Sequence, residues 1–69
     1  MPTIAEIIEK LDNQQQTLLN QRVEDILGDR QASCLYGLKP KHYHNPTGEE
    51  IHKIIQAAYI ELCKEGKIQ

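Results

Sequence analysis

The run Thr47-Gly48-Glu49-Glu50-Ile51-His52-Lys53-Ile54-Ile55-Gln56-Ala57-Ala58-Tyr59-Ile60-Glu61-Leu62-Cys63-Lys64-Glu65 decides the fold class. Ile51, Ile54, Ile55, Ala58 and Leu62 recur at intervals that place them on one stripe of an α-helix, and the run lacks the alternation a strand requires. Thr47 with Glu50 forms a capping-box pattern, in which the threonine hydroxyl accepts from the third helical amide and the glutamate reaches back to the threonine amide. Gly66 is a C-terminal stop, and Ile68 beyond it is placed to fold back onto Leu62. A helix is therefore expected over about 47–65.

Working outward, Pro2-Thr3-Ile4-Ala5-Glu6-Ile7 repeats the opening Pro46-Thr47-x-x-Glu50-Ile51, with Pro2 placed to staple onto Ile7. Nothing downstream repeats, so the two openings read as independently capped helices. Ile4, Ile7, Ile8, Leu11, Leu18, Leu19, Val23, Ile26 and Leu27 keep helical spacing, and neither Gly nor Pro lies between Thr3 and Gly28. The expectation is one long helix over about 3–27, with 12–16 as the point where it would break. There Asp12 and Asn13 compete for backbone hydrogen bonds in a stretch without apolar residues. Gly28 is expected as a left-handed stop.

Residues 28–46 hold two of the four Gly and two of the three Pro and read as a long loop. Ala32-Ser33-Cys34-Leu35-Tyr36-Gly37-Leu38 has the composition of a short extended piece, without a mate in this chain. Structureless connections longer than about 12–15 residues are uncommon in small domains, so this loop should either complete the core or meet a partner. Leu35, Tyr36 and Leu38 are the expected anchors, and Lys39, Lys41, Tyr43 and His44 the expected exposed contacts.

At 69 residues and 39% apolar content, the chain holds one core and is not wholly disordered. With neither Phe nor Trp, aliphatic side chains must build that core. A core of this size supplies about 3–5 kcal/mol, which favours support from a partner chain. A net charge of −2 gives no overall attraction to nucleic acid or anionic membranes, so any basic surface is local. The opening residues form no basic leader, and no apolar run is long enough to span a membrane, so a cytoplasmic location is expected.

Few residues suggest chemistry. Cys34 and Cys63, 29 positions apart, read as free thiols in a reducing compartment. His42-x-His44 has the spacing of a metal pair in an extended segment, but zinc normally takes four ligands and the chain offers one close pair. A Cys34 nucleophile with His42 or His44 as base lacks an oxyanion-hole motif. Glu49 and Glu50 favour the dipole at a helix start, and Glu24-Asp25 reads as solvated surface. No catalytic residue, metal or cofactor is assigned, and the chain is read as not an enzyme.

Interaction surface is the stronger signal. Gln15 and Arg22 fall within the apolar stripe of the first helix, where polar groups need partners or fix register between helices. Ile60 points away from Ile51, so another surface must cover it. Leu19, Val23, Ile26, Leu27 and Ile60 together exceed what one partner helix can cover. The expected fold is thus mostly α, with the N- and C-terminal helices antiparallel across the loop. Its completion is expected from a homodimer whose interface holds Leu19, Val23, Ile26 and Leu27. The expected function is that of a small non-enzymatic regulatory or adaptor protein. It would bind another protein through Lys39, Lys41, Tyr43, His44 and Ile60. The alternative is a dimeric nucleic-acid-binding regulator using Arg30, Lys39 and Lys41.

Overall fold

The computed structural model of the chain describes residues 3–68, apart from the side chains of Ile4 and Ile8. The stripe positions assigned to those two isoleucines and the staple assigned to Pro2 lie outside the described residues. Helical periodicity becomes four helices: α1 (Ile4–Lys10), α2 (Asn13–Leu27), α3 (Arg30–Leu35) and α4 (Gly48–Lys64), with a 3-10 turn at Pro40–His42. The protein is mostly helical, and the described residues form no strand.

The long first helix is interrupted. Asp12 is extended, and its Oδ1 accepts from the Gln15 amide at 2.8 Å while Gln15 Oε1 accepts from the Asp12 amide at 3.1 Å. This third capping box starts α2 afresh, because it satisfies amides that a continuous helix would have bonded internally. The Gln16 side chain donates to the Leu11 carbonyl at 3.2 Å, a backbone acceptor freed by the break. Gln15 therefore serves the cap and has no seam to occupy. The boxes at Thr3/Glu6 and Thr47/Glu50 form as their sequences indicate.

The 28–46 connection is largely ordered into short elements. Asp29 caps α3, accepting from the amides of Gln31 at 3.0 Å and Ala32 at 3.3 Å. Gly28 is accordingly right-handed, at φ −76°, because the chain passes directly into that cap. The left-handed residue is instead Gly37, at φ 107°, where the chain leaves α3. The segment with extended composition is thus helix and turn, locked by buried Ser33, whose hydroxyl donates to the Ile26 carbonyl.

The core comprises Ile7, Leu11, Leu19, Ile26, Leu38, Ile54, Ala58, Leu62 and Ile68. Both α1 and α2 pack on α4, and α2 also packs on α3. Ile68 is buried as the C-terminal motif implies: Gly66 takes φ 77°, and the amides of Lys67 and Ile68 reach the Leu62 carbonyl at 3.0 and 3.4 Å. From the loop only Leu38 enters the core. Leu35, expected as an anchor, is 80% exposed, because the short α3 turns it outward beyond the Ser33 side. Among the described residues, no helix is long and apolar enough to cross a membrane.

Candidate functional site

Opposite its core stripe, α4 carries a second row: Lys53, Gln56, Ala57, Ile60, Glu61 and Lys64. These residues recur three and four positions apart, so they share a face. Tyr36, the residue ending α3, closes one side of a shallow groove along that row. Ala57, Ile60 and Tyr36 supply its apolar lining, Lys53 and Lys64 stand towards its two ends, and Leu35 is exposed beside Tyr36 in sequence.

The acid in the groove is already engaged. Glu61 accepts from Arg22 Nη1 at 3.0 Å through one oxygen and from the Tyr36 hydroxyl through the other. Arg22 also grips Glu65 through both terminal nitrogens. The Glu65 hydrogen bond is the main cause holding the guanidinium above its ordinary pKa, and Arg22 in turn pulls Glu65 down to about 2. The phenol of Tyr36 is pushed up, first by its bond to Glu61 and then by burial. Arg22, a misfit on the apolar stripe of the sequence, is thus satisfied within one chain.

Past Lys53 lies a second, more polar depression lined by Gly37, Lys39, His42, Thr47, Glu49, Glu50 and Lys53. Its centre is the buried carboxylate of Glu50, which accepts from the amides of Lys39 at 2.8 Å and Thr47 at 2.9 Å and pairs with His42 Nδ1 at 3.1 Å. These donors, the Lys39 amide foremost, hold Glu50 at about 2. Local pattern reveals the cap but not the tie to Lys39, eleven positions upstream. Gly37 passes close to Lys53, and a Cβ there would meet Lys53 Cδ at 3.5 Å.

Of the residues assigned to partner binding, Ile60 lines the first depression and Lys39 the second, and Lys53 joins the two. Lys41 and His44 are exposed and line neither. Tyr43 is turned inward: its hydroxyl donates to the Gly28 carbonyl at 3.0 Å and its ring meets His44 edge-on. Leu19 and Ile26, assigned to a dimer interface, belong to the core of a single chain, with Val23 and Leu27 packed against it. Tyr36, expected as an anchor, packs against the core and also edges the groove, whereas Ala57, Lys53 and Lys64 carry no assignment from the sequence. The last three stand at helical spacing from Ile60, which is the signal that marks them.

Among the described residues, no cluster of three His, Cys, Asp or Glu could hold a metal. Cys34 and Cys63 are free and half-buried. No family model matches the chain, and neither a curated protein nor a solved structure matches it.

Proposed function

We propose that the protein is a small non-enzymatic adaptor or regulator that binds another protein through the groove between Tyr36 and the outer face of α4. The observation that carries this reading is the apolar lining of Ala57, Ile60 and Tyr36, three side chains that the chain itself covers only in part. Apolar side chains left partly uncovered in a surface depression are a usual mark of a contact surface. Arg22 and Glu61 brace the groove from beneath, so its walls are ordered before anything binds, which lowers the entropic cost of association. Self-association has less to draw on than the sequence implies, since Leu19 and Ile26 are used within the chain.

The nucleic-acid reading draws on the exposed Arg30, Lys39 and Lys41, none of which makes an ion pair within the described residues. Of the three, only Lys39 lines either depression, and it lines the second one.

The test is affinity capture from the native host with wild-type, Ile60→Glu and Ala57→Glu baits, each checked by circular dichroism. A protein held by the wild type and lost by both folded variants supports the reading. Equal recovery on all three baits overturns it. Recovery that depends instead on Lys39 and Lys41, and falls steeply with salt, assigns the surface to nucleic acid.

A further inference from the structure

We infer that the occupant of the α4 groove is an acidic amphipathic helix of a different protein, its carboxylates placed to meet Lys53 and Lys64. This rests on the protein-binding reading and adds the chemistry of the partner.

The charge around the groove carries the argument. Three ionised side chains line it: Lys53, Lys64 and Glu61. Both oxygens of Glu61 are occupied, by Arg22 and by Tyr36, and Lys67 on Glu65 at 3.3 Å supplies the second cation of the Arg22, Glu61 and Glu65 cluster. Lys64 makes no ion pair among the described residues, and Lys53 reaches only Glu49, at 4.0 Å, in a pair exposed on both sides. Pairs of that kind contribute little and exchange readily for a better partner. What remains for a visitor is the apolar surface of Ala57, Ile60 and Tyr36, with Lys64 towards one end and a weakly paired Lys53 towards the other.

The spacing narrows the partner further. Lys53 and Lys64 are eleven residues apart on one continuous helix, about 16 Å of rise, and Ala57 and Ile60 lie between them on the same face. A helix lying along this groove matches it with acids eleven positions apart and two apolar residues between, repeating the same three-turn geometry. Small Ala57 lets the two backbones approach closely.

A second copy of the chain is the obvious competitor, and the register argues against it. Ala57 and Ile60 share their midpoint with Lys53 and Lys64. An antiparallel two-fold pairing that sets Ala57 on the partner's Ile60 therefore sets Lys53 on the partner's Lys64. A parallel two-fold pairing sets each lysine on its own copy. In the registers that share this midpoint, either arrangement brings like charges together at both ends of the apolar contact, which counts against self-recognition there.

The test uses the full chain and three capped synthetic peptides sharing one helical design. Each has two leucines three positions apart at the centre. The flanking positions, eleven apart, are Glu in the first, Gln in the second and Lys in the third. Fluorescence anisotropy at low salt measures binding, amide chemical shifts locate it, and a single-stranded oligonucleotide serves as the competing probe.

The expected order is Glu over Gln by about three- to tenfold, with the Lys peptide weakest, and a gap that closes at high salt. Shifts should centre on Ala57 and Ile60, and a Lys53→Glu, Lys64→Glu double variant should invert the order. Equal binding of Glu and Gln peptides, lost in Ile60→Glu, overturns the acidic partner while leaving the docking groove. Binding indifferent to Ile60→Glu overturns both, as does absence of binding by all three peptides at millimolar concentration. Tighter binding of the oligonucleotide, or concentration-dependent self-association abolished by Ile60→Glu, replaces the acidic helix with that occupant.

Discussion

Arg22 of α2 and Glu65 at the end of α4 meet fork to fork, Nη1 donating to one carboxylate oxygen at 2.7 Å and Nη2 to the other at 2.9 Å. Planar two-point geometry of this kind orients two elements as well as attracting them. It ties together helices separated by 43 positions in sequence, and through Glu61 it extends to Tyr36 at the edge of the groove. The expected consequence is energetic coupling. Arg22→Gln and Glu65→Gln should each lower the urea midpoint, and the double variant should lose less than the two losses combined. The coupling should shrink in molar salt, because Glu65 is open to solvent. Strictly additive losses at low salt would show that the pair contributes nothing.

Acid should loosen the loop from α4. Glu50 is held at about 2 by the Lys39 and Thr47 amides and His42, against an ordinary carboxylate value of 4.5. A group depressed in the folded state contributes stability above its unfolded pKa and loses it as pH falls through the folded one. Stability from Glu50 is thus complete above about pH 5 and drains away from pH 4.5 towards pH 2. Glu65, depressed to about 2 by Arg22, titrates in the same window with the same sign. Glu50→Gln should be less stable than the wild type at pH 7, with the difference narrowing towards pH 2. Urea midpoints measured across pH 2–7 decide it, and parallel curves for the two proteins would contradict the assignment.

Two leucines three positions apart should behave oppositely. Leu38 is 2% exposed within the core, and its truncation to Ala should cost about 2–5 kcal/mol. Leu35→Ala should change stability by no more than about 0.5 kcal/mol, since the residue is 80% exposed. Equilibrium denaturation of the two single variants reads this directly. A large loss at Leu35 would mean that the residue is covered in solution, by a second copy or a different chain arrangement.

The sign of one substitution tests the break between α1 and α2. If Asp12 caps α2, Asp12→Ala removes the side-chain acceptor for Gln15 and should destabilise by about 0.5–2 kcal/mol. In an uninterrupted helix the same change would stabilise, since alanine is the better helix former. Thermal or urea denaturation gives the sign, and stabilisation would restore the single long helix.

What the sequence alone determined is the local content. The spacing of Ile51, Ile54, Ala58 and Leu62 made α4 a helix with a buried stripe, Thr3/Glu6 and Thr47/Glu50 set two of its helix starts, and Gly66 with Ile68 set the closing turn. These features act over three or four residues, so their partners are visible within a single window of sequence. The break at Asp12 was legible as a competitor of the helix, and the Asp12–Gln15 capping box that makes it acts over three positions as well. Tertiary structure alone decided that Arg22 meets Glu61 and Glu65, that Glu50 holds Lys39, that Tyr43 turns to Gly28, and that Leu38 enters the core while Leu35 stays out. The groove belongs to that second group, since Tyr36 and Ile60 share it only after α2 and α3 have packed. Contacts across eleven to forty-three positions leave no periodic trace, because hydrogen bonds and burial act through space and take their geometry from the packed chain.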